Sequence, residues 1–438
     1  MVGRQGSEES GEQSGAARWS EEGLTAVVIS GAGARGAYEA GALATLLPLL
    51  FPQGLGSVVL LGSSAGAINA VQWAQRAAPG RPLAEIGEEV CKFWEELDVD
   101  HVYRPLMVTA ARRALTFDWI GRVDGLLDTG PSHKLAKQTL RASALASNLA
   151  QGGIGGVGVV ATTCPLDGSG GRSRVFYQGG RLRAPAPDDT SALDYVATPL
   201  TPEHVLASAA IPGIFPAVQV TTPTEAAGWH CDGGLRMNTP IEPALRFGAR
   251  RLVVVSSHAT TYPAPAPLPK DKPDVVDMTA QSLHTALADG MVEDLRRLRK
   301  TNDLVLQARE RGVTLMNNGV HPAEPYQLIP LVEAAPRPGV IARLARQVLA
   351  GRLPLSPAKL YRRLEFQLLR RGYAGLGSGV GNDELLSYLL FDKEFARRQI
   401  RIGRADGRAA YDELRARGLI PTSSLRATVD KPLVPSAE

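Results

Sequence analysis

From residue 24 the chain alternates between short β-branched runs and longer segments of helical period. Leu24 to Ser30 reads as a strand, Arg35 to Leu49 as a helix, Ser57 to Leu61 as a second strand and Ala65 to Ala77 as a second helix. A Gly-rich turn joins each strand to the helix behind it. That alternation predicts an α/β protein with a parallel sheet. Val157 to Ala161, Arg174 to Tyr177, Val218 to Val220 and Leu252 to Ser256 read as further strands of the same layer. The alternating prolines Pro263, Pro265, Pro267 and Pro269 then exclude helix and sheet interior alike, which predicts an exposed connector.

Beyond the prolines, Leu283, Leu287, Met291, Leu295 and Leu298 recur at helical spacing. They predict one long amphipathic helix over Val275 to Glu310, laid against the sheet, with Gly290 as a soft point. Tyr326 to Leu331 reads as a last strand, and Gly339 to Arg417 as mostly helical with a break at Gly372 to Gly379. The expected organisation is a disordered polar tail over 1–22, a catalytic α/β domain over 23–260, the connector over 261–274 and a mainly helical region over 275–438 that packs on the core. No internal repeat is visible.

With 438 residues, 44% hydrophobic and 21% charged, the chain has the composition of a globular protein with a large core. Cys91, Cys164 and Cys231 are too few and too scattered for a disulfide framework, so a reducing cytoplasm is the expected compartment. The first 22 residues lack the basic and apolar stretches of a secretory signal. The longest apolar stretch, Gly41 to Phe51, is interrupted by Pro48 and falls well short of the roughly 20 residues that cross a bilayer. A net charge of +4 favours an anionic surface only weakly. There is no HExxH, no acidic calcium loop and no Cys/His cluster, so neither metal nor cofactor is expected.

Two Gly-rich turns stand where an open parallel sheet places its ligands, at the carboxyl ends of consecutive strands. Gly62-Ser63-Ser64-Ala65-Gly66 is a GxSxG between a strand and a helix, a nucleophile elbow in which Gly62 and Gly66 relieve crowding and Ser64 is exposed at a helix N-terminus. Gly31-Ala32-Gly33-Ala34-Arg35-Gly36 matches GxGxxG, which in a dinucleotide site demands an acidic residue at the end of the next strand. That strand ends in Leu61-Gly62-Ser63 instead. Unhindered backbone amides beside a serine suit acyl transfer, where negative charge develops on a carbonyl oxygen, so Gly31 to Gly36 reads as an oxyanion hole. Arg35 there would add charge or meet a substrate phosphate.

A base must complete the site. His258, at the end of the Leu252 to Ser256 strand, would complete a Ser-His triad, although only one strand precedes this elbow, where an α/β-hydrolase has several. Asp232, followed by Gly233 and Gly234, is the other candidate, in a turn tight enough to bring its carboxyl to another backbone.

In this order the three motifs resemble those of the patatin-like phospholipases, bacterial members included. The resemblance extends to the His204 to Pro216 block and to the helix-rich sequence near Leu385 to Phe391. It implies a three-layer fold with a mostly parallel central sheet, a helical C-terminal extension and no histidine in the site. Ser64 would be the nucleophile, Asp232 its base, and Gly31, Ala32, Gly33, Ala34, Arg35 and Gly36 the oxyanion motif, with Ala32 where many members carry a third glycine. The implied activity is hydrolysis of acyl lipid esters through an acyl-Ser64 intermediate. An aspartate of ordinary pKa, near 3.9, is a poor base for an alcohol, so the site must partly dehydrate it. Other readings stay open: a triad through His258, a nucleotide-binding turn, or a membrane-surface module using Arg296, Arg297, Arg299 and Lys300 and, alongside Leu360, Leu364 and Leu368, Arg362, Arg363, Arg370 and Arg371. Peripheral contact with an anionic membrane is compatible with catalysis on lipid, and nucleic acid is not an expected partner.

Overall fold

The computed structural model describes residues 23–104, 125, 127–183, 185, 191–262, 275–317, 324–350 and 380–419. The polar tail, most of the proline connector, the Gly372 to Gly379 break and the arginines between 362 and 371 lie outside them.

The sheet is built outward from β1 (Thr25–Ile29), whose five residues are all buried. β2 (Leu55–Ser63) pairs with it in parallel on one side and β8 (Arg251–Val255) on the other. The order is β11-β8-β1-β2-β3-β4-β5, with β3 at Ile154–Thr163, β4 at Ser173–Gln178, β5 at Leu193–Ala197 and β11 at Leu331–Ala334. β4 runs antiparallel to β3, and the other five pairings of this order are parallel. The expected mostly parallel sheet flanked by helices is therefore present. The last strand differs in position: it begins only at Leu331, because Pro330 has no amide to give the ladder, and its carbonyl accepts the Leu252 amide instead at 2.9 Å.

Strand periodicity explains the three layers. Val27, Ile29, Leu60, Val157 and Val253 face one apolar cluster, whereas Ala26, Val28, Leu61, Val160 and Val254 face another. Side chains alternate across a strand, so a strand buried on both faces needs a helical layer on each. On the first face lie α1 (Gly36–Leu50), α2 (Ala65–Ala74) and α3 (Leu83–Glu96). Next in the chain come α4 (Gly130–Thr139), α5 (Ala142–Ala150), α6 (Pro202–Ser208), α7 (Gly234–Met237) and α8 (Ile241–Arg246). The second face is covered by α8 and α9 (Val275–Glu310), whose Met291, Leu295 and Leu298 are buried against the sheet as their spacing predicts.

The C-terminal helices close the first face. α10 (Val340–Ala350) and α11 (Val380–Leu389) precede α12 (Lys393–Ala416), and α12 crosses α1 at backbone contact. A Cβ on Gly403 would lie 2.0 Å from the Tyr38 carbonyl oxygen, too near for any side chain. Gly290 in α9 is exposed, with nothing within 4 Å of its missing Cβ. Gly403→Ala is therefore expected to lower stability by about 1–3 kcal/mol through overpacking. Gly290→Ala is expected to raise it by about 0.5–1 kcal/mol through lost chain entropy. Urea midpoints of the two variants should move in opposite directions.

Candidate active site

Two strands meet end to end on one edge of β3. Val160 pairs with Ser63 on one side and with Val175 of β4 on the other; one residue on, Ala161 pairs with Asp232 and with Arg174. β4 therefore occupies one whole edge, and β2 and β7 (Gly228–Asp232) share the opposite one. β2 runs parallel to β3 and β7 antiparallel, so their carboxyl ends converge at the Val160–Ala161 step. Ser64 and Asp232, 168 residues apart in sequence, are each delivered there by the last residue pairs of their strands.

Beyond β2 the chain turns into α2 through Ser64, at φ 52° and ψ −124°, the one non-glycine residue with positive φ among those described. Such a conformation costs of order 1–3 kcal/mol and persists only where neighbours enforce it. The neighbours are visible. A Cβ on Gly62 would sit 2.2 Å from the Gly66 carbonyl, so the elbow closes only with glycine at 62. The Ser64 amide donates to Ser208 Oγ at 2.9 Å, and Ser208 Oγ in turn donates to the Val160 carbonyl. Ser208 thus clamps the elbow to β3, and it explains the His204 to Pro216 block, in which no functional role was assigned to any single residue. The same segment holds the other half of the site: the Ala210 carbonyl accepts the Asp232 amide at 2.9 Å, and the Ser208 carbonyl accepts that of Gly233 at 3.3 Å.

Asp232 is buried, and the Ser64 hydroxyl lies near enough to its carboxyl to influence its ionisation. The Gly234 amide donates to Asp232 Oδ1 at 2.7 Å. Burial pushes its pKa up to about 7, although the Ser64 hydroxyl and the Gly234 amide both favour the charged form.

The GxGxxG stretch folds as a 3-10 turn, Gly33–Arg35, leading into α1. Its amides divide into two sets. Those of Gly31, Arg35 and Gly36 are engaged, by the carbonyls of Asn238, Ala32 and Gly33 respectively. Those of Ala32, Gly33 and Ala34, with that of Ala65 at the start of α2, stand where helical turns open and have no backbone acceptor among the described residues. The free amides are thus three of the motif's six. The Arg35 side chain does not reach toward a substrate phosphate: it is 3% exposed and turned away to α11, where Nη2 meets Glu384 Oε1 at 2.7 Å. A nucleotide pyrophosphate finds no open approach at Gly33 either, since the Tyr388 carbonyl stands 2.5 Å from where its Cβ would be.

Ser64 opens on an apolar cavity walled by Ile68, Phe93, Leu135, Val205, Phe215 and Phe391. Its walls come from α2, α3, α4 and α6 and from the turn between α11 and α12. Sequence patterning gave no reading of α3 or α4, and Tyr388 and Phe391 lie far beyond the motifs. His258 is buried, and its Nε2 is 2.6 Å from the Tyr388 hydroxyl; burial, with Arg35 and His284 nearby, holds it down to about 3. Its Nε2 is thus engaged with Tyr388. In the basic stretch of α9, Arg296 and Arg297 pair with Glu293 and Arg299 with Glu333, so its charge is largely matched within the fold. Among the described residues no helix is long and apolar enough to cross a membrane.

A glycine elbow bearing a buried serine, an aspartate at the neighbouring strand end and an apolar cavity define an α/β protein of the patatin type. The patatin-like phospholipase family model matches residues 27–245, half of the chain, and the protein belongs to that family. Among solved structures, VipD from Legionella pneumophila aligns over 90% of this chain and 67% of its own, at 12% identity and a TM-score of 0.30. Human GIVD cytosolic phospholipase A2 aligns at 12% identity and a TM-score of 0.42, over 90% of this chain and 60% of its own. Its complex with methyl gamma-linolenyl fluorophosphonate gives 14% and 0.37, over 90% and 59%. The chain thus spans about three fifths of the human enzyme's length. No curated protein matches it.

Because the Asp232 pKa in the fold stands above its ordinary 3.8, the native state keeps a proton that the unfolded chain releases. Stability contributed by that proton is present at low pH and is lost as pH rises through about 7. Asp232→Asn removes this loss. Its melting temperature relative to wild type is expected to be higher at pH 8 than at pH 5, as measured by thermal unfolding at both.

Proposed function

We propose that this protein is a serine lipid acyl hydrolase that cleaves carboxylic esters through a Ser64–Asp232 dyad and an acyl-enzyme intermediate. The observation that carries the reading is the convergence of two strand ends that delivers the strained Ser64 elbow, at the head of an apolar cavity, and the buried Asp232 carboxyl to adjacent positions on β3. In acylation, Asp232 accepts the Ser64 proton as Oγ attacks the ester carbonyl carbon. The Gly33, Ala34 and Ala65 amides receive the oxyanion, whose charge they meet without reorganising. Collapse of the tetrahedral intermediate breaks the ester C–O bond, and the proton held by Asp232 leaves with the alcohol. Asp232 then takes a proton from water as its oxygen attacks the acyl-Ser64 carbonyl; the acyl C–Oγ bond breaks, the acid leaves and Asp232 returns the proton to Ser64 Oγ. An alcohol leaves with little help from an acid, so esters suit this site better than amides.

The cavity sets the acyl half of the substrate. Ser64, Ala65, Ile68, Val71 and Gln72 line it along one face of α2. Beside its lining residues Gln72 and Thr139, α2 and the end of α4 are tied together: Gln75 Nε2 donates to Gln72 Oε1 at 2.9 Å and to the Thr139 carbonyl at 3.0 Å, and Gln75 Oε1 accepts the Arg141 amide at 2.7 Å. The eight helical steps from Ser64 to Gln72 rise about 12 Å, room for an extended acyl chain of roughly ten carbons.

Ser64→Ala and Asp232→Asn are each expected to lower ester hydrolysis by at least about a thousandfold while leaving the fold intact. Full activity in either variant would end the dyad reading, and His258→Ala separates it from a triad. Wild-type kcat/KM should rise with pH along a limb centred at about 7, the Asp232 value, and then level. Across a series of p-nitrophenyl esters, kcat/KM is expected to peak near ten carbons and to move to longer chains in Gln72→Ala; an unshifted optimum would remove Gln72 from the cavity's end.

A further inference from the structure

The oxyanion turn is held from outside by a part of the chain that lies beyond the matched family region. Arg35 Nε donates to Ser387 Oγ at 2.8 Å, and Nη2 donates to the Glu384 carbonyl at 3.2 Å as well as pairing with the Glu384 carboxylate. The guanidinium lies over the Tyr388 ring, 4.0 Å from its centre. One residue earlier, the Ala34 carbonyl accepts Gln399 Nε2 of α12 at 3.2 Å. Gly33, at φ 54°, backs directly onto the Tyr388 carbonyl. Three consecutive residues of the turn are thus each fixed by α11 or α12.

A buried guanidinium is costly unless it is paired and hydrogen-bonded, and apolar residues of similar volume would stabilise the fold as well or better. Glu384 shows how firmly the pair is committed. Burial raises its carboxyl, yet Arg35 and His284 override that and hold it down to about 2. Such a fork fixes direction as well as distance, since a planar guanidinium gripped at Nε and Nη2 cannot rotate. Its Cα lies in the very turn that presents the Gly33 and Ala34 amides.

We infer that Arg35, gripped by Glu384 and Ser387 and stacked on Tyr388, is a positioning residue that keeps the Gly33 and Ala34 amides aimed at the oxyanion. The inference rests on the acyl-transfer reading of Ser64. Charge on the carbonyl oxygen develops only in the transition state, so slack in the turn lowers kcat while substrate binding in the cavity is unchanged. A purely structural ion pair would move the melting temperature and leave kcat alone.

The test uses the full chain with Arg35→Lys, Glu384→Gln, Arg35→Glu and the swap Arg35→Glu/Glu384→Arg. Each is assayed for kcat and KM on a soluble ester, for the rate of phosphonylation by a fluorophosphonate with the labelled peptide mapped, and for melting temperature. Arg35→Lys and Glu384→Gln are expected to lower kcat and the labelling rate by roughly 10- to 100-fold, below the loss of a whole oxyanion donor, with KM within about threefold. The swap should recover about tenfold over Arg35→Glu alone. Glu384→Gln removes a charge with almost no change of shape, and it decides the matter if the Arg35 variants fail to fold. Unchanged kcat and labelling in Glu384→Gln, or a raised KM at unchanged kcat, overturns the inference. Absence of Ser64 labelling in wild type overturns the acyl-transfer reading instead.

Discussion

The site depends on β3 having one edge that two strands must share. β2 leaves that edge at Val160 and β7 takes it up at Ala161, so the loops that follow them are forced into contact. Backbone ladder bonds, not side-chain attraction, bring the serine and the carboxyl together. That is a robust way to join residues so distant in sequence, because slipping either strand by one position would turn every buried side chain to the wrong face.

The arrangement concentrates unfavourable terms where the chemistry is. Ser64 holds a backbone conformation that favours glycine, Asp232 is buried with a raised pKa, and Arg35 is a charge taken out of water. Glu39, behind the oxyanion turn, is likewise buried and pushed up to about 8, with Ser30 donating at 2.8 Å and Asn69 at 3.3 Å. These polar groups persist because the double-sided apolar sheet around them is large enough to absorb their cost. A site of this kind trades stability for a pre-set geometry.

The candidate site was legible in the sequence because its local requirements are contiguous. An elbow needs GxSxG, a donor turn needs small residues in a row, and Asp232 is flagged by the two glycines after it. The parallel strands and α9 were legible because periodicity reports burial directly. Three things were not. β7 is too short to show an alternation, so the element that aims Asp232 read only as a turn. The cavity walls from α3 and α4 carry ordinary amphipathic sequence with no chemical mark. Arg35 and His258 were each read by position along the chain, as substrate contact and as base; their partners on α11, 349 and 130 residues away, divert both to other work.

The crossing of α12 over α1 has a temporal consequence. α1 leaves the ribosome several hundred residues before α12 and the Glu384 helix, many seconds at ordinary elongation rates. Until they dock, the turn before α1 lacks its contacts to Glu384, Ser387 and Gln399. A nascent chain therefore carries both Ser64 and Asp232 before it carries the helices that hold that turn.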